Sequence, residues 1–183
     1  NDKFNAIKSE TNNLLFFIKQ KLNYFPSIIN HNDKFLIMSF INNNNEQPNQ
    51  TNDDFLKAII SIHSINNPNY GFNFSTQIGG LEQINSTSKN WSEFYRDKRL
   101  YYIFDLINKN KPMNKVINTK IDLLIKNINN FIPNNPRPSL LHGDLWEGNI
   151  LFKNKKFAGL IDPGSFYGHN ELEVSYLRWF KPK

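Results

Sequence analysis

The sequence predicts an α+β fold, and two observations predict it. Apolar residues recur at three- and four-residue steps in separate stretches, Ile7 to Leu22 and Val116 to Ile132 among them, which is helical spacing. Between Ser139 and Ser165 the pattern changes to short apolar runs broken by turn residues. Leu140–Leu141, Ile150–Phe152 and Phe157–Ile161 read as strands, the last two joined by a turn at Lys153–Lys156. The 183 residues suffice for a real core, and 39% hydrophobic content with 16 Phe argues for a folded chain.

Phe4 to about Leu22 reads as the first helix, with Ile7, Leu14, Leu15, Ile18 and Leu22 on one face. Pro26–Ile29 and Phe35–Ile41 follow as strands, separated by the turn His31-Asn32-Asp33-Lys34. Asn42–Asn45 is a polar run and reads as a loop. Thr51-x-x-Asp54 can cap the next helix, with Asp53 and Asp54 favourable at its positive end. Phe55, Ile59 and Ile62 mark its buried face, Asn66–Pro68 ends it, and His63 reads as structural. Trp91, Phe94, Phe104 and Ile107 suit a helix from about Ser92 to Asn108. Val116 to Ile132 is the clearest helix. Its stripe of Ile117, Ile121, Leu124, Ile128 and Phe131 is expected to pack beneath the polar turn that follows Leu141. Pro133, Pro136 and Pro138 forbid further helix and deliver the chain extended into Leu140. A last helix begins near Asn170-Glu171, with Glu171, Val174 and Arg178 on one face.

Composition narrows the functional classes. The formal charge is +6, but the lysines are scattered rather than gathered on one helix or arm, so no nucleic-acid partner is expected. A phosphate-bearing ligand fits the same positive surplus. With no Cys, disulfides and thiolate metal sites are excluded. No apolar run is long enough to span a bilayer, and Asn1-Asp2-Lys3-Phe4 has no signal-peptide character, so the expectation is a cytoplasmic protein without a membrane partner.

The chemistry concentrates in the polar turn after Leu141. His142-x-Asp144, followed across four residues by Asn149, has the spacing of a kinase catalytic loop. There the Asp accepts the proton of an attacking hydroxyl and the Asn holds magnesium. An Asp ending the following hairpin, as Asp162 does, holds the metal that bridges the phosphates. An Asx-rich surface turn is the bland alternative. Gly143 stands where protein kinases place Arg, and Pro163-Gly164 follow Asp162 where they place Phe-Gly. A small acceptor is favoured over a protein. No Gly occurs before Gly71, so neither a glycine-rich phosphate loop nor its strand lysine is visible. The chain is expected to begin after the third strand of a small lobe.

His142-Gly143-Asp144-Leu145-Trp146 with Gly148-Asn149, then Ile161-Asp162-Pro163, Tyr167-Gly168-His169 and Glu171, resemble the fructosamine kinase (ketosamine-3-kinase) family. That family belongs to the aminoglycoside phosphotransferase and choline kinase group, with a protein-kinase-like fold. Glu147 and Gly164-Ser165 depart from its pattern. The resemblance implies a partial small lobe over residues 1–41, ending in the hinge, and a mainly helical large lobe over 42–183, incomplete at its C-terminus. It implies ATP and Mg²⁺ as cofactors, and a ketosamine, a sugar joined to an amine by glycation, as the acceptor.

Residue by residue, the resemblance makes Asp144 the base and gives the metal to Asn149 and Asp162. Glu10 becomes the helix glutamate that pairs with the strand lysine, Met38 lines the adenine pocket, and Ser39, Phe40 and Ile41 form the hinge. Trp146, His142 and Trp91 face the acceptor. Read alone, Glu10 is a solvated helix residue, Met38 to Ile41 a plain core strand, and Trp91 and Trp146 packing residues. An aminoglycoside, choline or homoserine kinase and a non-catalytic nucleotide binder remain alternatives. Lacking the glycine loop and lysine, residues 1–183 alone are expected to be weakly active or inactive.

Overall fold

The computed structural model describes residues 5–44, 46–48 and 52–180, the side chains of residues 179 and 180 excepted. Helix α1, Ala6–Lys19, buries Leu14 and Phe17. It stops three residues short of the expected Leu22 because Lys21 takes a left-handed φ of 58°. The Lys21 and Leu22 amides then bond back to the Ile18 and Phe17 carbonyls, at 3.0 and 3.1 Å, a glycine-type C-cap made with lysine. Phe4 and Thr51, expected as a helix start and a cap, lie outside the described residues.

Strands β1, Ile28–His31, and β2, Leu36–Met38, pair antiparallel with Ile28 opposite Met38. Asn32 closes their turn, its side-chain oxygen accepting the Lys34 and Phe35 amides at 2.8 and 3.1 Å. The polar run beyond is more than a loop. The Asn44 amide donates to the Phe152 carbonyl at 3.1 Å, and its side chain donates to Asn154 Oδ1 at 2.9 Å. This stitches the linker to the hairpin that carries the candidate site.

Helix α2, Asp53–His63, is capped by Asn52, which accepts the Phe55 amide at 3.0 Å. Strands β3, Thr76–Ile78, and β4, Leu81–Gln83, form a hairpin with no counterpart in the sequence reading. Its Gly79–Gly80 turn has φ of +53° and +80°, the two positive angles that a two-residue hairpin loop requires. Helix α3, Trp91–Tyr95, continues through a π-helical stretch, Arg96–Tyr101, into α4, Tyr102–Asn110. This matches the expected helix with a wider turn in its middle.

Helix α5, Lys115–Lys126, ends earlier than the stripe suggested, and a single tight turn over Ile128–Asn130 follows. Nor does the stripe sit under the polar turn: Ile117, Leu124 and Phe131 are exposed. Ile121 and Leu124 instead line an apolar groove of about 430 Å³, facing Ile103 and Ile107 of α4. Periodicity identified the helix but assigned its face to the wrong neighbour.

The last third follows the expected order. β5, Ser139–Leu141, pairs with β8, Phe166–Gly168, while β6, Ile150–Lys153, and β7, Lys156–Leu160, form a hairpin between them. Helix α6, Glu171–Phe180, closes the described chain. The core gathers around β5, where Leu140 and Leu141 meet Phe17, Ile62, Phe94 and Phe166. Each such fully buried side chain contributes roughly 1.5–3 kcal/mol. Among the described residues, no helix is long and apolar enough to cross a membrane.

Candidate active site

Buried β5 carries the chain inward to His142, and the backbone reverses at Gly143. Gly143 has φ of +88°, and a Cβ there would lie 2.0 Å from the Gly164 carbonyl oxygen. Only glycine tolerates both the angle and the approach. The turn after β5 and the turn after β7 are therefore in backbone contact.

Asp144, partly buried, follows directly. The buried Asn149 donates through Nδ2 to the Asp144 carbonyl at 2.8 Å and to its Oδ2 at 3.1 Å. With the nitrogen so engaged, Asn149 Oδ1 faces away and takes no hydrogen bond among the described residues. The β6–β7 register sets Ile150 opposite Leu160, and the Ile161 amide donates to the Asn149 carbonyl at 3.1 Å. The next residue, Asp162, is thus delivered beside Asn149. It stands at a left-handed φ of 52°, a strained angle that Asp tolerates better than most residues. Its carboxylate has no hydrogen bond among the described residues.

Electrostatics tie these acids together. Burial raises the Asp144 carboxyl above its ordinary value; the Asn149 bond opposes this, and the Asp162 charge adds to it. Burial also raises Asp162. Glu10, brought up by α1, is pushed from 4.5 to about 8, by burial first and by Asp162 second. No cation pairs with Glu10 among the described residues.

The loop holding Asp162 is clamped by polar groups that sequence reasoning missed. Gln83 Nε2 and Thr76 Oγ1, from the β3–β4 hairpin, donate to the Gly164 carbonyl at 3.1 and 3.3 Å. Asn13 of α1 accepts the Ser165 amide at 3.3 Å, and Ser165 Oγ donates to the His142 carbonyl at 3.3 Å. The Gly-Gly pair between two short runs was the available signal for this hairpin. Glu173 was missed as well. It is buried on α6 and accepts the Gly143 amide, whereas Glu171, the residue marked in the sequence, is exposed.

The other expected residues divide. Met38, Ser39 and Ile41 are partly buried and Phe40 is 83% exposed. Ser39 pairs back onto Ser27, its amide donating to the Ser27 carbonyl at 2.8 Å and its hydroxyl accepting the Ser27 amide at 2.9 Å. That amide is not offered to a ligand. Trp146 is 37% exposed and folds its ring over Gly148, facing a cavity of about 240 Å³ shared with Gln47 and Phe152.

Two expectations need correction. His142 has no exposed surface and stacks on Phe25, with burial pushing its imidazole down to about 4, so it is a neutral buried group whose Nδ1 accepts the Asp144 amide at 3.3 Å and which has no access to an acceptor. Trp91 is 2% exposed among Tyr70, Phe94 and Tyr95, and is core.

A helix and strand pair joined by a short linker to a mainly helical body, with an Asp–Asn turn facing a hairpin that ends in Asp, define a protein-kinase-like phosphotransferase fold. Solved structures agree on that fold. A Thermobifida fusca protein named provisionally as a fructosamine-3-kinase superposes with a TM-score of 0.80 at 20% identity, over 96% of this chain and 62% of that one. An ADP-bound aminoglycoside phosphotransferase gives 0.56 at 21% identity, over 92% and 58%. The chain belongs to the fructosamine kinase family, whose sequence model matches residues 3–183. It is 34% identical over 148 residues to the chloroplastic protein-ribulosamine 3-kinase of Arabidopsis thaliana, covering 79% of this chain and 44% of that protein. To the ketosamine-3-kinase of Mus musculus it is 35% identical over 111 residues, covering 61% and 36%. The chain thus spans less than half the length of either relative.

Proposed function

We propose that this chain forms part of an ATP-dependent kinase that phosphorylates a sugar hydroxyl of ketosamines, with residues 1–41 in the small lobe and 42–183 in the large one. What supports the reading is that Asn149 holds Asp144 and its carbonyl accepts the amide of Ile161, next to Asp162, while Asn149 Oδ1 and the Asp162 carboxylate take no hydrogen bond among the described residues. Those two oxygens fit a hard cation such as Mg²⁺, which prefers oxygen donors. When bound, magnesium neutralises charge on the transferring phosphate.

The chain's own groups do the rest. Asp144 accepts the proton from the attacking sugar hydroxyl. Asn149 Nδ2 holds Asp144 Oδ2, which aims the other carboxylate oxygen outward. The Phe40 and Ile41 amides and the Phe40 carbonyl are the groups left to offer adenine a polar edge, since the Ser39 amide is bonded to Ser27 and the Ile41 carbonyl accepts Asn43 Nδ2 at 2.9 Å. Trp146, its ring lying over Gly148 and 37% exposed, offers a surface suited to the apolar face of a sugar. The ketosamine preference comes from the family and from the printed activities of the plant and mouse relatives.

The test uses the full-length natural protein that carries these residues. ATP consumption is followed with fructosyl-lysine, ribulosyl-lysine, choline and an aminoglycoside, and phosphorus NMR identifies the product. Preferential phosphorylation of a ketosamine on its third carbon is expected; preference for choline or the aminoglycoside overturns the reading. Asp144→Asn should lower kcat by roughly 10²–10⁴-fold while leaving ATP affinity nearly unchanged. Undiminished turnover in that variant removes Asp144 from its role.

A further inference from the structure

Arg99 is a partly buried cation with no carboxylate partner among the described residues. It sits in the π-helical stretch Arg96–Tyr101, a geometry that recurs at functional sites. Nη1 donates to the Ile84 carbonyl at 2.8 Å and to the Lys98 carbonyl at 3.0 Å, and Nη2 donates to Asn85 Oδ1 at 2.7 Å. Its guanidinium carbon lies 4.8 Å from the centre of the Phe94 ring and 4.2 Å from that of Phe166. Burial draws the group down to about 10, which leaves it charged at neutral pH.

Core filling does not explain this residue. Nε is buried without a hydrogen bond among the described residues, a cost that an apolar side chain of similar length avoids. What Arg99 sets is the orientation of an amide. With Asn85 Oδ1 turned to Arg99, Asn85 Nδ2 faces the Phe74 carbonyl at 3.1 Å and Thr76 Oγ1 at 2.9 Å. Thr76 Oγ1 also accepts Gln83 Nε2 at 3.4 Å, so both of its lone pairs are taken and its one proton goes to the Gly164 carbonyl. With the Asn85 amide reversed, the Thr76 hydroxyl would donate to Asn85, and Gly164 would lose that bond.

The hairpin closes on Gly164 without space for a side chain. A Cβ there would lie 2.8 Å from Gln83 Nε2 and 2.9 Å from the Gln77 carbonyl oxygen. Gly164 is also one of the positions where this chain departs from the family pattern. Asp162 lies two residues earlier, across Pro163, whose ring restricts rotation. A left-handed Asp162, at φ of 52°, persists only where its surroundings hold it.

We propose that Arg99 is a positioning residue for Asp162: by orienting the Asn85 amide it directs the Thr76 hydroxyl onto the Gly164 carbonyl, and so keeps the Asp162 carboxylate at the metal site. The inference rests on the reading of Asp162 as a metal ligand. It gives the β3–β4 hairpin, with its polar interior, a task in the chemistry, although none of these side chains reaches a substrate.

The test compares Arg99→Met, Asn85→Asp, Thr76→Val and Thr76→Ser with the full-length parent protein. Two quantities are read: the Mg²⁺ concentration that half-saturates turnover, and the carbon-13 shift of the Gly164 carbonyl in metal-free protein. Gly164-Ser165 is the one Gly-Ser pair in these 183 residues, so paired glycine and serine labelling picks it out. Arg99→Met, Asn85→Asp and Thr76→Val should each raise the half-saturating Mg²⁺ roughly tenfold, with kcat at saturating Mg²⁺ near parental. The Gly164 carbonyl should move upfield in all three, and Thr76→Ser should keep both parental values. Asn85→Asp is the sharpest arm. It leaves Arg99 an acceptor and a counter-charge, so a purely structural arginine predicts no loss there, whereas the missing Nδ2 donor releases the Thr76 hydroxyl from Gly164. Parental Mg²⁺ dependence in Asn85→Asp and Thr76→Val, or an unmoved Gly164 carbonyl in Arg99→Met, overturns the proposal. If Arg99→Met does not fold, Asn85→Asp decides by the same two readouts. Should Asp162→Asn leave the Mg²⁺ dependence of the parent unchanged, the reading of Asp162 fails by itself, and the Gly164 carbonyl still decides whether Arg99 sets this loop.

Discussion

Glu10 should make the stability of this protein fall as pH rises. Its carboxyl ordinarily titrates at 4.5, and in the fold it is raised to about 8, by burial and then by the neighbouring Asp162 charge. Between those values the folded protein keeps a proton that the unfolded chain has released. Stability therefore falls with rising pH across that window, and this contribution is flat below 4.5 and above about 8. At about 1.4 kcal/mol per pH unit, the full window caps the loss at roughly 4–5 kcal/mol, and local relaxation or water entry makes the realised loss smaller. Glu10→Gln keeps the shape and removes the titration. Urea unfolding of both proteins from pH 5 to pH 9 in metal-free buffer isolates the effect as a difference, so that other groups cancel. The variant should gain on the parent steadily to about pH 8 and then run parallel to it. Parallel curves throughout would mean that Glu10 is solvated or ion-paired in the folded state, and would refute the reasoning.

Three other substitutions follow from particular contacts. Gly143→Ala meets the Gly164 carbonyl and a forbidding φ together, and should destabilise by on the order of 3 kcal/mol in urea unfolding, with turnover lost in the folded fraction. Asn149→Ala removes a proposed metal oxygen and the bond that holds Asp144. Calorimetry should show Mg²⁺-dependent ADP affinity falling roughly 10–100-fold, with metal-free ADP binding little changed. Asn52→Ala deletes the α2 cap far from the chemistry and should lower stability by about 1 kcal/mol, with parental kinetics.

The parts of this fold that local chemistry determines were legible in the sequence. The β6–β7 hairpin was placed nearly to the residue, because its apolar runs and turn lie side by side in the chain. Its register sets Ile150 opposite Leu160 and so puts Asp162 next in line to Asn149, while the loop beyond is held by long-range bonds. The β3–β4 hairpin escaped for a physical reason. Its inward positions, Thr76 and Gln83, are buried polar residues, while Leu81 is 41% exposed, so the usual alternation is inverted. The hydrophobic pattern is silent when the inside of a strand exists to bond a neighbouring backbone. Trp91 and His142 failed differently: both are chemistry-bearing types, and nothing local says whether such a ring faces a ligand or the core.

Glu173 unites both failures. A glutamate on an amphipathic helix reads as solvent-facing, and Glu171, two residues earlier, does face outward. Glu173 turns inward because a backbone amide and an imidazole on two other elements await it there. The acids and amides that would touch phosphate or metal announce themselves by spacing, since they share one turn and one hairpin. The groups that aim them, from Asn13 on α1 to Gln83 on β4 and Glu173 on α6, are distant in sequence and polar where burial predicts apolar residues. Precision at such a site is therefore written in long-range hydrogen bonds to backbone, which become visible only once the chain has folded.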